Sequence, residues 1–444
     1  MSAVTKAIGC AKKLKHRFER QLRAHTPVYL SPVRRIDRVA VKERVVAMTF
    51  DDGPCRLPAN PSSDGKPLTL SLLETLEKYG AKGTFDIVGD TSKNYPDKPG
   101  KEGSASWGGV RFDHYPDFGK DADGGAVSCP ELVKRILDGG HEITSHTYSH
   151  VLFGPKPLVY GSRSPLAGLG ECVEDLQKLD SLLRSQYGYT IRFSRPPHYV
   201  DVMKDGFTSY DAYAELGYQY LGASFDGAGW LPLGSYEAEV EAMLAPMEKA
   251  LAADPDALAG QIIFQKDGYN MARRSPVADG LGRQLELLGK YGYRVVTVSE
   301  LTELCPFTDL PPESPAFRPA VRLLGEGWCV CFRDNTVRPD APVTRGELAM
   351  MAYGREAVQR REELVRQKKS PFKDVAWNHP YAGAIQLAAE AEAFGTEGGR
   401  FYPEDAALPG ELAQLCRALY GREPLHLPAV LTHESAIVTL ESAL

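Results

Sequence analysis

The segment VVAMTFDDGP, residues 45–54, opens the part of the chain in which strand and helix patterns alternate. Its first six residues form a short, largely apolar run, and two aspartates, a glycine and a proline follow. Short apolar runs bounded by turn residues are typical of strands that are buried on both faces of a sheet. We therefore predict that a buried strand ends at Asp51 and Asp52.

Helix and strand patterns then alternate as far as residue 298. A helix is predicted over 68–79 and a strand over 82–88. Further along, helices are predicted at 130–138, 168–186, 209–216, 236–252 and 276–290, and strands at 142–143, 190–194, 218–225, 261–264 and 293–298. Repeated strand–helix units imply a parallel sheet with helices outside it, either open or closed into a barrel.

Two further regions surround or interrupt a main domain predicted at 41–303. Residues 1–40 are basic and carry apolar residues at helical spacing, which predicts an amphipathic helical segment. This segment either packs on the main domain or contacts a membrane surface or an acidic partner. Residues 91–128 interrupt the alternation with small polar and aromatic residues, which are typical of a lid or sugar-binding loop, or of a loop folded on its own aromatic cluster.

The last part of the chain, residues 304–444, repeats itself with an offset of 64–65 residues. PFTDL at 306–310 returns as PFKDV at 371–375, and the tetrapeptide GELA occurs in both copies. Repeats of this length indicate a helical repeat module. We predict a small all-α repeat domain with units at 306–354 and 371–421 and a partial unit at 430–444.

The composition excludes several classes of protein. The 444 residues are 43% hydrophobic and 25% charged with a formal net charge of −6, the balance of an ordinary globular protein. This charge does not favour nucleic acid as a partner. No apolar run is long enough for a transmembrane segment, and the N-terminus shows no signal-peptide core. The eight cysteines form no C-x-x-C pair and are predicted to be mostly buried free thiols, although one disulfide of unassigned pairing stays open.

The candidate chemistry lies in the first domain. His146 and His150 are four residues apart, which places both imidazoles on one face of a helical turn. Two histidines and one carboxylate leave coordination positions open for water, as in catalytic rather than structural metal sites. Two buried structural histidines are the alternative, and the acidic pair Asp51-Asp52 at a strand end favours the metal site.

These segments resemble motifs of a known family. TFDDGP at 49–54, GHEI at 140–143 leading into SHTYSH at 145–150, and RPPH at 195–198 are similar to the first three motifs of the polysaccharide deacetylases, the NodB-homology or carbohydrate esterase family 4 group. The resemblance covers roughly residues 40–303. It implies an α/β fold, a deformed (β/α) barrel of NodB type, and a metal-dependent N- or O-deacetylase.

The resemblance also implies roles for particular residues. Asp52, His146 and His150 would hold a divalent metal, zinc above all, with cobalt or nickel as alternatives. Asp51 would act as the general base towards the attacking water. Arg195 would pair with Asp51 and keep it ionised, and a backbone N–H near His198 would contribute to an oxyanion site.

The chain departs from the family pattern in two later motifs. The fourth motif, D-x-x-D-W, is here DGAGW at 226–230 and lacks its second acid. In the fifth motif Lys266 stands where the family has a histidine. Lys266 and His198 are therefore candidate proton donors to the leaving group. The alternative is a catalytically impaired fold that binds sugar.

The C-terminal repeats resemble S-layer homology modules, which anchor proteins to cell-wall polysaccharide. VTRGE at 343–347 is similar to their T-R-A-E motif, and Arg345 suits an anionic glycan, whereas the second copy lacks the arginine. A purely structural role for the repeats is the alternative. The repeats indicate a bacterial cell surface, whereas the lack of an export signal leaves the cytoplasm open.

The sequence thus predicts a divalent-metal hydrolase that removes acetyl groups from an N- or O-acetylated glycan. Two alternatives stay open at this point. One is a wall-associated carbohydrate-binding protein on the same fold without full activity. The other is a metal-dependent hydrolase of a small amide.

Overall fold

The computed structural model describes residues 28–58, 65–90, 106–107, 110–111, 123–151, 153–154, 166, 168–270 and 274–444. These residues form two compact units, one of Val41–Leu304 and one that combines residues 28–40 with Cys305–Leu444. Residues 1–27, which hold most of the basic helix expected in the N-terminal segment, lie outside the described residues. Most of the 91–128 insertion lies outside them as well.

Residues 28–40 correct the expectation of a helical segment up to residue 40. They contain a bridge from Leu30 to Phe332 and a two-residue strand, Arg35–Ile36, but no helix. Pro32 lacks the N–H that a helix interior needs. The Arg34 guanidinium instead donates to the Pro306 carbonyl at 2.7 Å, which ties this segment to the second unit.

The first unit is built around a parallel sheet. Its strands are β1 (Val45–Asp51), β2 (Thr84–Ile87), β5 (Glu142–Ser145), β6 (Phe193–Ser194), β7 (Gln219–Leu221), β8 (Phe225–Asp226), β9 (Ile262–Lys266) and β10 (Arg294–Val296). All seven residues of β1 are buried, as expected for a strand covered on both faces. Inside the insertion, β3 (Ser106–Trp107) and β4 (Val110–Arg111) form a short antiparallel pair.

The sheet curls into a deformed barrel. Among the strands of the first unit the order is β7-β6-β5-β2-β1-β9-β8, and β10 pairs with the first half of β1. The two end strands, β7 and β8, are joined by only three residues, 222–224. Because the four residue steps from Leu221 to Phe225 span no more than about 14 Å, these two strands must come close together. The predicted α/β fold, a deformed (β/α) barrel, is confirmed.

Helices connect most of the successive strands of the parallel sheet and cover its outside. They are α1 (Leu68–Lys78), α2 (Pro130–Asp138), α3 (Leu169–Tyr187), α4 (Ser209–Leu216), α5 (Tyr236–Ala253), α6 (Val277–Lys290) and α7 (Val298–Leu304). Their apolar faces are buried, as Leu72 and Leu76 of α1 illustrate. Several end where the sequence places a glycine in the left-handed region, for example α3 at Gly188 with φ 64°.

The second unit is helical, with α8 (Phe317–Gly325), α9 (Arg345–Gln367), α10 (Ala382–Glu390), α11 (Pro409–Tyr420) and α12 (His433–Ala443). The repeat is visible in its hydrogen bonds. The Asp309 carboxylate accepts the N–H groups of Val337 and Arg338 at 2.6 and 2.9 Å. Its counterpart Asp374 accepts those of Phe401 and Tyr402 at 3.0 and 2.8 Å. The aspartate of each PF-x-D copy therefore closes an equivalent turn.

Two further findings concern the described part of the chain. No helix there is both long and apolar enough to cross a bilayer. All seven cysteines within the described ranges are buried free thiols. Burial raises the pKa of the Cys129 thiol to about 12, which keeps it protonated and unreactive at neutral pH.

Candidate active site

The candidate site lies at the carboxyl ends of the parallel strands, where ligands of α/β proteins commonly bind. Asp51 is the last residue of β1, and in the sheet register it lies beside Asp86 of β2 and Lys266 of β9. Arg195 directly follows the last residue of β6. The barrel therefore gathers at one end ionisable groups that are far apart in the sequence.

Asp52, His146 and His150, the three predicted metal ligands, come together. Nε2 of His146 lies 3.3 Å and Nε2 of His150 lies 3.1 Å from the same Asp52 oxygen, Oδ1. All three residues are more than nine-tenths buried. In a tetrahedral site with bonds of about 2.0–2.1 Å, ligand atoms are about 3.3–3.4 Å apart. The donor types and their spacing therefore fit a divalent ion of the zinc type.

A loop, and not the helical turn expected from the H-x-x-x-H spacing, presents the two histidines. It follows β5, and Thr147 and His150 have φ values of 74° and 55°. The Asp175 carboxylate of α3 holds this loop by accepting the Tyr148 N–H at 2.8 Å and the Ser149 hydroxyl at 2.5 Å. Non-glycine residues seldom adopt such φ values, and strain of this kind is concentrated at functional sites.

Asp86 is a buried carboxylate behind the predicted ligands that the sequence analysis missed. Nδ1 of His146 is hydrogen-bonded to the Arg195 carbonyl oxygen at 2.9 Å and lies 2.9 Å from an Asp86 carboxylate oxygen. Both neighbours are acceptors, so Nδ1 carries a hydrogen, and once His146 loses its second proton the lone pair is on Nε2, the atom that faces Asp52. Thr144 donates to the other Asp86 oxygen at 2.6 Å. An aspartate inside the apolar strand pattern of TFDIV was the available signal.

Arg195 forms a fully buried ion pair with Asp51, as the motif implied. The guanidinium also donates to Thr49 Oγ1 at 3.1 Å and to the carbonyl oxygens of Leu221 and Gly222 at 3.2 and 2.7 Å. These contacts use several sides of the planar group and orient it. One oxygen of the Asp51 carboxylate is consequently fixed by the pair.

The protonation states of Asp51 and Asp52 differ although the residues are adjacent. Burial raises the pKa of Asp51 to about 7 against the opposing effects of Arg195 and His146. Burial alone would also raise the pKa of Asp52, but Lys266 and hydrogen bonds from both histidines outweigh it and hold that pKa well below its usual range. Asp52 therefore stays ionised, as a ligand must, while Asp51 is matched to proton exchange near neutrality.

The two histidines differ in the same way. Burial alone would lower the pKa of His146, but Asp86 and Asp52 raise it to about 10. Burial lowers the pKa of His150 to about 4. The His150 imidazole is thus neutral at neutral pH, whereas His146 carries an additional proton that it must lose before it binds a metal.

Lys266 lies against the predicted metal ligands. Its Nζ is 2.5 Å from Asp52 Oδ2, and both side chains are nearly inaccessible, at 9% and 7% exposed. The position is the last residue of β9, where the family places a histidine, so the strand directs this side chain into the site.

The acid that is missing from the fourth motif has no room in this structure. A Cβ at Gly229 would lie 2.4 Å from a Val277 methyl carbon, well inside contact distance. The remaining aspartate, Asp226, accepts the Trp230 indole N–H at 3.1 Å and the Ala228 N–H at 2.8 Å. Asp226 therefore shapes a turn.

His198 lies near His150, with a ring-centroid distance of 6.1 Å. It has a φ of 55° within a short 3₁₀ turn, Pro197–Tyr199. Burial, followed by the charge of His150, lowers its pKa to about 3. At neutral pH the imidazole is therefore neutral and holds no spare proton, which weighs against the predicted role as a proton donor.

Asp267 is a second buried carboxylate that sequence reasoning missed. Its backbone N–H donates to the Asp51 carbonyl at 2.7 Å, and its side chain accepts the Thr69 hydroxyl at 2.7 Å. A Cβ at Gly53 would lie 2.1 Å from an Asp267 oxygen, so the DDGP turn needs glycine there. Burial raises the pKa of Asp267 to about 7.

In the second unit, Arg345 is engaged by its own domain. Its guanidinium pairs with Glu411 and donates to the carbonyl oxygens of Phe401 and Gly395 at 2.9 and 2.7 Å. Only 13% of the side chain is exposed. These contacts link the two repeat copies and support the structural alternative for this arginine.

Comparison with known families agrees with both sets of motifs. The family model for polysaccharide deacetylase matches residues 38–221, and that for the S-layer homology domain matches 306–349 and 371–408. The first unit thus carries a polysaccharide deacetylase domain, and the second unit carries S-layer homology domains.

Curated relatives are similar over the first unit. A peptidoglycan-N-acetylglucosamine deacetylase of Bacillus cereus is 27% identical over 263 residues, which are 58% of this chain and 88% of that protein. The peptidoglycan-N-acetylglucosamine deacetylase PgdA of Listeria monocytogenes is 23% identical over 256 residues, or 58% of this chain and 38% of that protein. The chain thus spans less than two-fifths of the length of the Listeria relative.

Solved structures are also similar over part of the chain. The peptidoglycan deacetylase PdaC of Bacillus subtilis has a TM-score of 0.37 at 20% identity, covering 60% of this chain and 93% of that one. A carbohydrate esterase family 4 pseudoenzyme of Bacillus anthracis has a TM-score of 0.39 at 17% identity, covering 61% of this chain and 69% of that one.

Proposed function

We propose that the chain is a divalent-metal-dependent deacetylase of an N- or O-acetylated glycan. The observation that carries this proposal is the convergence of Asp52, His146 and His150 on one point, beside the buried Asp51–Arg195 pair. Names of the curated relatives favour peptidoglycan as the glycan, in particular N-acetylglucosamine residues.

The proposed roles follow from the contacts of each residue. When bound by Asp52, His146 and His150, a divalent ion such as zinc polarises an acetyl carbonyl and acidifies water. Asp51 accepts the proton of the attacking water, because its pKa of about 7 lets it exchange protons near neutrality. Arg195 orients Asp51, and Asp86 orients His146 through Nδ1.

Proton delivery to the leaving group is assigned to Lys266. It stands at the strand position where the family places a histidine and lies within the buried site. The neutral His198 imidazole is the weaker candidate because burial lowers its pKa to about 3. Asp51, once protonated, is a further source of the proton.

A second candidate function is carbohydrate binding by a site with impaired catalysis. The contact of Lys266 with Asp52 and the steric loss of the fourth-motif acid at Gly229 favour this alternative. In the family pattern both changed positions contribute to the proton donor. The predicted metal ligands and the Asp51–Arg195 pair are retained.

The test is acetate release from peptidoglycan fragments, chitin oligosaccharides and acetylated xylan with added Zn²⁺, Co²⁺ or Ni²⁺. We expect turnover by the wild type and a loss of about 10²–10⁴-fold in Asp51→Asn. The matched control is Asp138→Asn, at an exposed aspartate of α2. Full activity in Asp51→Asn would remove the base assignment. Glycan binding without acetate release under any metal would establish the second candidate instead.

A further inference from the structure

Within this site, we propose that the Lys266 ammonium competes with the divalent cation for the Asp52 carboxylate, so that this chain binds metal more weakly than its three ligands alone would. The inference rests on the proposed metal-dependent function. It concerns the metal affinity and the regulation of the same site. Because binding is weakened, the fraction of protein that holds metal is predicted to follow the free metal concentration.

The two oxygens of the Asp52 carboxylate have different neighbours. Oδ1 faces the Nε2 atoms of His146 and His150, at 3.3 and 3.1 Å. Oδ2 accepts a hydrogen bond from Lys266 Nζ at 2.5 Å. A cation held by the three ligands and the lysine ammonium would therefore share one small carboxylate.

The backbone of Lys266 cannot easily move this charge away. The residue ends β9, which is paired with β1 on one side and with β8 on the other. The following residue, Asp267, donates its backbone N–H to the Asp51 carbonyl at 2.7 Å. Pairing of Lys266 itself with β1, together with the pairing of Ile263 and Phe264 with β8, thus holds the start of the side chain at the site.

Together with Asp86 the site forms a chain of alternating charges. Asp86 contacts His146, His146 contacts Asp52, and Asp52 contacts Lys266, at 2.9, 3.3 and 2.5 Å. In this chain the ammonium supplies the positive charge that a metal ion would bring to Asp52. A dication that enters must either displace Lys266 or be repelled by it at short range.

That repulsion is strong because the site excludes water. Lys266 and Asp52 are 9% and 7% exposed, so solvent and salt screen the interaction little. Two like-signed charges a few ångströms apart in such surroundings repel each other strongly enough to change a binding constant by more than tenfold. Removal of the ammonium is therefore expected to tighten metal binding by about tenfold or more.

The experiment compares the wild type with Lys266→Met, which keeps the length of the side chain without its charge, and with Lys266→Arg, which keeps the charge. Full-length protein is freed of metal by a chelator and titrated with Co²⁺ and Zn²⁺ by calorimetry, and the visible absorption of Co²⁺ reports coordination. Lys266→Gln takes the place of the methionine variant if the latter does not fold, as judged by circular dichroism. His150→Ala serves as the control without a complete ligand set.

Support requires a Kd for Co²⁺ at least about tenfold lower in Lys266→Met than in the wild type, with Lys266→Arg close to the wild type. Equal or weaker binding by the folded Lys266→Met or Lys266→Gln protein overturns the inference and leaves the proposed function intact. If neither the wild type nor any folded Lys266 variant binds more metal than His150→Ala, the metal site and the competition both fail.

Discussion

Replacing Arg195 with methionine should destabilise the first unit by about 3–5 kcal/mol, because it leaves a buried carboxylate without its charge partner. Arg195 is fully buried, pairs with Asp51, and also satisfies Thr49 and two backbone carbonyl oxygens. Asp51→Asn should cost a comparable amount, because it leaves the guanidinium unpaired. In the double variant neither charge is stranded, so the loss should be about 3 kcal/mol smaller than the sum of the two single losses.

The assay is equilibrium urea unfolding at pH 7 of the wild type, the two single variants and the double variant in the presence of a chelator. Arg192→Met is the control, because the Arg192 side chain is 67% exposed and its ion pair with Glu303 is long, at 3.8 Å. Its loss should stay within about 0.5 kcal/mol. Additive single losses, to within about 0.5 kcal/mol, would refute the view that the buried pair acts as a unit.

Three further predictions concern other buried charges. Asp86→Asn should weaken Co²⁺ binding by about 10–100-fold relative to Asp138→Asn, and unchanged affinity in a direct titration would show that Asp86 does not tune His146. Asp267 has a folded pKa of about 7, above the unfolded value of 3.8, so the stability tied to its proton is present at low pH and lost as pH rises to 7. The free energy of unfolding of Asp267→Asn, relative to that of the metal-free wild type, should therefore rise by about 3 kcal/mol from pH 5 to pH 8 in urea unfolding. A difference that does not change with pH would contradict this. In thermal unfolding, Arg345→Leu should lower the stability of the second unit by about 2–3 kcal/mol. Arg360→Leu, at a partly exposed pair with Glu390, should lower it by less than about 1 kcal/mol.

The strand–helix alternation was visible in the sequence because it depends on local patterning. The apolar run of β1 and the helix of α1 both occur within a residue or two of the predicted bounds. The motifs around Asp52 and His150 also identified the family, since they combine rare residue types at fixed spacing. These signals are short-range and need no knowledge of packing.

Other features escaped prediction because they arise from contacts between distant segments. The conformation of the loop between His146 and His150 depends on Asp175 of a later helix, so the spacing alone wrongly suggested a helical turn. The motif at Arg345 suggested a ligand contact, yet Glu411 of the next copy takes that guanidinium. In each case a partner far along the chain determines where the side chain points.

The amino-acid order was sufficient to establish the barrel class, the repeat module and the candidate ligands Asp52, His146 and His150. It also showed that a lysine replaces the histidine of the fifth motif. Packing alone revealed that Lys266 meets Asp52, that Asp86 lies behind His146, and that Gly229 leaves no space for an acid. The difference arises because local patterns record which face of an element is buried, whereas charge pairing inside a barrel depends on strand register and on atoms brought together only when the sheet curls.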